Sequence, residues 1–101
     1  MDRAAFHRLF KTSGPVVTPV IHVLDRTQAL ANIAHVARLG ASGVFLINHD
    51  FAVQDFLPIL RDARQCCPNI WMGVNFLAQP GRVAFPILGR LADEGCMIDA
   101  Y

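Results

Sequence analysis

The stretch GVFLINHD, residues 43–50, decides the fold because an apolar run ends abruptly in three polar side chains. A continuous apolar run is typical of a strand that is buried on both faces, as in a parallel sheet covered by helices. Asn48, His49 and Asp50 follow where that strand would end. These three residues either cap the next element or line a site.

The same pattern recurs along the chain at intervals of about 26 residues, the length of one strand, one crossover helix and two loops. The four strand-like segments are VVTPVIHV (16–23), GVFLIN (43–48), IWMGVNF (70–76) and CMIDAY (96–101). Pro19 lacks the N–H that a central strand donates, so the well-paired part of the first segment is expected at residues 20–23. The repeat predicts strand–helix units with right-handed crossovers, and therefore a parallel sheet.

The stretches between these segments carry helix signals. A capping-box pattern begins the first helix at Asp25, and Gly40 ends it. The next two helices are predicted to begin near Pro58 and Pro86, because proline suits the first helical turn and costs about 3 kcal/mol in later turns. Residues 1–14 are predicted to form a helical arm ahead of these units.

Two α/β architectures fit this pattern of parallel strands. Residues 15–101 match the first half of a (β/α)8 TIM barrel, which typically has about 250 residues in all. The alternative is a small four-stranded doubly wound α/β sheet. Because the last strand-like segment is followed by no helix, we favour a partial TIM-barrel domain that spans residues 1–101 and is truncated.

Composition excludes several classes of function. With 17% charged residues and a net charge of +1, the chain lacks the basic surface that binds nucleic acid. It also lacks the run of roughly 18 apolar residues that a membrane span needs, and its first residues do not resemble a secretory signal. We therefore expect a cytoplasmic protein without a membrane span.

Polar side chains lie near the predicted carboxyl ends of the strands, where ligands bind in parallel α/β folds. The predicted ligand-binding residues are Asn48, His49, Asp50, Asn75 and Asp99, with His22 as the predicted catalytic group. His22 is chosen because a buried imidazole must find a hydrogen-bond partner. Each residue also has a structural interpretation: His22 as a satisfied core residue, Asp50 as a cap, and His49 as a solvent-exposed loop residue.

No metal site is predicted, because one histidine with Asp50 and Asp99 is a weak ligand set. The cofactor is unknown, since the chain contains no phosphate-binding, dinucleotide-binding or zinc-protease motif. The three cysteines, Cys66, Cys67 and Cys96, do not form a disulfide framework or a zinc knuckle, and we expect free thiols.

At these same residues the chain resembles the BtpA/SgcQ family of (β/α)8 proteins. The similar stretches are PVIHVL (19–24), RLGASGVFLINHDFA (38–52), MGVNFL (72–77) and GCMIDAY (95–101). The resemblance implies a TIM barrel, of which this chain would supply the first four strands. It also implies a family with members tied to photosystem I biogenesis.

Two functions are compatible with this resemblance, and whether the protein is an enzyme is left open. The first is binding or transformation of a small polar ligand, similar to a phosphosugar or a nucleoside, with His22 as acid/base or hydrogen-bond donor. Asn48 and Asn75 would orient that ligand. The alternative is a non-catalytic assembly factor. We expect the chain to be inactive alone, with two outcomes open: it forms a homo-oligomer that closes its exposed sheet edges, or it is a fragment that aggregates.

Overall fold

The chain folds into an α/β domain of four helices and one parallel sheet. The computed structural model describes residues 1–101. The elements are α1 (Arg3–Leu9), β1 (Val20–Val23), α2 (Arg26–Arg38), β2 (Gly43–Asn48), α3 (Val53–Cys66), β3 (Trp71–Phe76) and α4 (Gly81–Asp93). The predicted α/β class, with helices alternating with parallel strands, is confirmed.

The sheet has three strands in the order β1-β2-β3, and both pairings are parallel. Because the spatial order equals the chain order, both crossovers move in the same direction across the sheet. A doubly wound sheet reverses that direction at a switch point, and these strands contain no such reversal. The finer assignment to half of a TIM barrel stays a prediction.

The predicted fourth strand, residues 96–101, is reduced to one isolated bridge in which Ala100 pairs with Gly73 of β3. The backbone N–H of Asp99 donates to the carbonyl of Met72 at 2.8 Å, and that of Val74 donates to the carbonyl of Ala100 at 2.9 Å. The segment therefore lies parallel to β3 at the sheet edge without forming a regular ladder.

The prediction that two helices begin at their prolines is wrong. Helix α3 begins at Val53 and α4 at Gly81, so Pro58 and Pro86 are each the sixth residue of a helix. The prolines leave the carbonyls of Gln54 and Arg82 without their helical partners, and both of these residues are exposed, so water can replace the lost bonds and lower the penalty. The early turns also bury apolar side chains against the sheet, among them Phe56 at 0% exposure.

One face of the sheet packs against helices α2, α3 and α4. Its core contains 16 buried residues, which include strand residues such as Leu46 and Val74 and helix residues such as Ile33, Phe56 and Leu91. Each large apolar side chain buried in this way contributes about 1.5–3 kcal/mol. All three crossover helices therefore lie on the same side, which we call the helix face.

The opposite side, the open face, carries the strand residues that point away from the helices: Val20, His22, Phe45, Ile47, Trp71, Gly73 and Asn75. Strand β1 alternates exposed and buried residues, so the predicted burial on both faces is wrong for this strand. The physical reason is that no helix of the chain covers its second face, where Val20 is 58% exposed.

Aromatic side chains cover the amino-terminal half of the open face. The Phe45 ring lies over Gly73, where an added Cβ would meet the ring at 2.4 Å. Trp71 packs beside Phe45, with ring centroids 5.4 Å apart, and Phe10, just after α1, packs on Trp71 at 4.9 Å. The predicted helical arm thus contains α1, which is docked by these rings against the sheet.

Arg64, near the end of α3, connects this helix to the loop that follows it and to the carboxyl-terminal segment. Its guanidinium donates to the carbonyls of Met97, Pro68 and Ile70, and it forms a 2.9 Å ion pair with Asp99. The side chain is only 12% exposed, so little water is available to replace these bonds. The position of the carboxyl-terminal segment beside β3 depends on this contact.

None of the four helices combines the length and the apolar character that crossing a bilayer requires. The three cysteines are free, as predicted: Cys66 is exposed, Cys67 is half-buried and Cys96 is buried.

Replacing Arg64 with alanine should lower the free energy of unfolding by about 2–4 kcal/mol, because it leaves several partly buried carbonyls and a carboxylate without their partner. Arg38→Ala is the matched control, since Arg38 is exposed and forms no ion pair. Urea unfolding followed by circular dichroism measures both variants. Equal effects of the two substitutions would mean that the bonds of Arg64 add nothing to stability.

Candidate functional site

A row of three side chains crosses the open face near the carboxyl ends of the strands. His22 of β1 is level with Ile47 of β2, and Ile47 is level with Asn75 of β3. The His22 and Asn75 side chains are exposed, while Ile47 between them is 9% exposed. The row therefore presents an imidazole and an amide on either side of an apolar floor.

His49 joins this row from just beyond the end of β2. Its ring stacks on that of His22, with centroids 4.6 Å apart and an angle of 19° between the planes. Both rings are exposed to solvent. His22 and His49 are thus in contact, and Asn75 lies on the same face of the sheet on the far side of Ile47. We call these three sequence-predicted site residues the polar cluster.

Asn48 lies on the helix face, on the other side of the sheet from the polar cluster. It is 4% exposed, and both ends of its amide are used. The Nδ2 group donates to the carbonyl of Phe51 at 2.7 Å, and Oδ1 accepts from the N–H of Leu77 at 3.1 Å. Asn48 therefore joins the segments that follow β2 and β3.

The separation of Asn48 from Asn75 comes from the register of the sheet. Asn75 is level with Ile47, whereas Asn48 is level with Phe76. Because side chains alternate between faces, a shift of one residue moves a side chain to the opposite face. The two asparagines that looked equivalent in the sequence therefore do not converge.

Asp99 also lies away from the polar cluster. Its Oδ2 accepts from the backbone N–H of Met72 at 2.8 Å and from Arg64 at 2.9 Å. Met72 is near the start of β3, so Asp99 is at the amino-terminal end of the sheet. Asp50 is exposed in the bend after β2, beside His49 in the chain.

The loop after β1 is held by local hydrogen bonds. Asp25 caps α2 by accepting from the N–H of Gln28 at 2.8 Å, which is the capping-box pattern expected from the sequence. The Gln28 amide in turn donates to the carbonyl of His22 at 3.1 Å and accepts from the N–H of Leu24 at 3.1 Å. These contacts fix the backbone at His22 while its ring stays on the open face.

A concave region, which the sequence did not suggest, lies away from the polar cluster at the amino-terminal end of the sheet and has a volume of about 710 Å³. Its charged lining is largely paired: Arg61 bonds to Glu94 at 2.8 Å, and Arg64 bonds to Asp99. The hydrogen bond to Glu94 raises the pKa of Arg61. Arg61 and Arg64 are three residues apart on α3, a spacing that places both on one helix face.

Cys96 lies in the lining of this cavity and is buried. Its Sγ donates to the carbonyl of Leu60 at 3.7 Å. Burial raises the pKa of the Cys96 thiol, which keeps it in the less reactive protonated form.

No cluster of three or more histidine, cysteine or acidic side chains is placed to hold a metal ion. Comparison with models of protein families, with curated proteins and with solved structures gave no significant match. The resemblance to the BtpA/SgcQ family therefore stays a prediction, and the polar cluster is the structural feature that bears on function.

Replacing Asn48 with alanine should lower the free energy of unfolding by about 1–3 kcal/mol, because the Phe51 carbonyl and the Leu77 N–H lose their partners in a part-buried position. Asn75→Ala, the same change at an exposed site, should alter stability by less than about 0.5 kcal/mol. Thermal and urea unfolding of the two variants measure the difference. If Asn75→Ala were the more destabilising change, the assignment of structural and surface roles would be reversed.

Proposed function

We propose that this chain is a BtpA/SgcQ-like half of a (β/α)8 barrel, which binds a small polar ligand on its open face. The observation that carries the proposal is that His22, His49 and Asn75 share one face near the carboxyl ends of the strands, with the two histidine rings in contact. In barrels of this class, catalytic and binding groups come from the carboxyl ends of several strands. A ligand of the phosphosugar or nucleoside type offers the oxygens and ring nitrogens that such groups bind.

Each member of the polar cluster has a distinct part in the proposal. The Asn75 amide both donates and accepts hydrogen bonds, so it orients a hydroxyl or a carbonyl. His22 donates or accepts a proton at the same ligand, and His49 holds the His22 ring by stacking. Ile47 provides an apolar floor between the polar groups. Asn48 and Asp99 act indirectly, by holding the strand ends.

The open face needs a second wall before it encloses a ligand. We propose that a second copy of the chain supplies that wall. One chain offers three strands and a fourth at the Gly73–Ala100 bridge, and eight strands make a barrel whose interior is filled by side chains. A two-fold axis parallel to the strands keeps every strand parallel and brings β1 of one copy beside the fourth strand of the other.

The outer helix surfaces favour ligand binding over the alternative role of an assembly factor. A factor that binds partners through its helices needs a continuous apolar patch there. Exposed positions on α2 and α3 are mostly polar, such as Asn32 and Gln54. On α4, Val83 and Phe85 are 40% and 62% exposed, which makes this helix the one place where such a partner would dock.

Ribose 5-phosphate and adenosine are suitable probes for the proposed ligand class. In proton–nitrogen correlation spectra of the labelled protein, at least one of them should shift the backbone signals of His22, Ile47 and Asn75. His22→Ala and Asn75→Ala should each weaken that binding by about tenfold or more, as for loss of a good hydrogen bond to a ligand. Asn32→Ala, on the outside of α2, is the control. Shifts confined to α2 or α4, or no shift with either probe, would contradict the proposal.

If a second copy of the chain covers the open face, light scattering should show a dimer. Val20→Arg should give single chains, because Val20 is exposed on the open face and a buried, unpaired guanidinium there is costly. Leu39→Arg is the control: Leu39 is 74% exposed at the end of α2, outside the proposed interface. A monomeric parent protein, or dissociation caused by Leu39→Arg instead, would show that something other than a second copy covers this face.

A further inference from the structure

The stacked His22–His49 pair has chemistry that the proposed ligand does not require. The two imidazoles come from neighbouring strands, and both are exposed. Imidazole is the commonest protein ligand for transition metals. Because both side chains are exposed, each ring can turn about its side-chain bonds until one nitrogen of each points at a shared ion.

The charges in the segments around the two rings are compatible with a bound cation. The segments at this edge of the sheet, residues 20–25, 43–52 and 70–80, contain the carboxylates of Asp25 and Asp50 and no lysine or arginine. Two arginines closely follow these segments in the chain: Arg26 is paired with Asp62 of α3 at 2.5 Å, and Arg82, at the start of α4, is exposed and forms no ion pair. One oxygen of Asp25 is used by the α2 cap, and the Asp50 side chain is exposed. A positive ion therefore meets a carboxylate in two of the three segments, and Arg82, after the third, is the unpaired arginine beside them.

We propose that His22 and His49 chelate one divalent transition-metal ion, with water in the remaining coordination positions. Metal–nitrogen bonds of about 2.0–2.1 Å place two bound nitrogens ~3.3 Å apart at a tetrahedral angle. The ring centroids are 4.6 Å apart, so the two exposed side chains have to leave their stack and turn toward each other to bring the nitrogens within range. Two protein ligands leave the remaining coordination positions open to water or to a further oxygen or nitrogen donor.

The cysteines cannot complete this site. Cys66 is the last residue of α3, and a crossover helix runs antiparallel to its strands, so it ends at the amino-terminal side of the sheet. Cys96 is buried and bonded to the Leu60 carbonyl. The ion is thus held by imidazole alone, which favours Cu²⁺, Ni²⁺ or Zn²⁺ over Mg²⁺ or Ca²⁺. The proposal needs only one chain and stands apart from barrel closure and from the polar ligand.

Ni²⁺ added to the full-length chain at neutral pH, followed by isothermal titration calorimetry, tests the proposal. We expect one ion per chain. His22→Ala and His49→Ala should each weaken binding by at least about tenfold, since loss of even an outer partner of a metal ligand costs roughly 10–100-fold. His35→Ala, an exposed histidine on α2, should bind like the parent. The double change Cys66→Ser and Cys67→Ser should also leave the affinity unchanged.

A second measurement uses the unaltered protein and does not depend on how the variants fold. Substoichiometric Ni²⁺ should selectively broaden the imidazole proton signals of His22 and His49 and spare those of His7 and His35. Binding that survives either alanine variant, binding that is lost with the two serines, or broadening at His7 or His35 would overturn the proposal. So would the absence of any binding. If Ni²⁺ binds at these two histidines and neither ribose 5-phosphate nor adenosine shifts any signal, the metal site is supported and the proposed polar ligand is rejected. The two proposals can therefore fail independently.

Discussion

The register of β2 against its two neighbours is the constraint on which the rest of the structure depends. Strand β2 is paired on both sides, so each of its residues from Phe45 to Asn48 places one residue of β1 and one of β3 on the same face as itself. Leu46 and the residues paired with it, Ile21 and Val74, point into the core beneath the helices. The next residue, Ile47, and its partners His22 and Asn75 point to the open face. Side chains along a strand alternate between the two faces of the sheet. A residue can therefore move to the other face only if the pairing of its whole strand shifts by one residue.

The core residues that stabilise the fold and the residues of the polar cluster therefore lie on opposite faces of the sheet. The helix face contains the continuous core, and the buried polar residue at its carboxyl-terminal edge, Asn48, bonds to backbone groups on both sides. The open face carries aromatic packing at one end and the polar cluster at the other. Side chains such as His22 and Asn75 are therefore free to bind a ligand, because the core does not depend on them.

The ends of the sheet are held by different means. At the carboxyl-terminal end the loops are short, and the side-chain amides of Gln28 and Asn48 donate hydrogen bonds to the backbone carbonyls of His22 and Phe51. At the amino-terminal end, the fourth segment pairs through one bridge only, and Arg64 and Asp99 supply the additional bonds. This arrangement explains why Asp99, which the sequence suggested as a ligand contact, is instead part of the support for an edge segment.

Local patterns in the sequence determined the α/β class, the parallel strands at residues 20–23, 43–48 and 71–76, and the cap at Asp25. They could do so because apolar runs and capping residues act over a few neighbouring positions. Helix starts were misjudged at Pro58 and Pro86, because the tolerance of a helix for proline depends on whether the freed carbonyl faces water. The face of each polar side chain was decided only by tertiary structure: Asn48 and Asn75 look alike in the chain, but pairing offset by one residue buries one and exposes the other. The stacking of His49 on His22 likewise requires two strands, separated by a whole helix in the chain, to lie side by side.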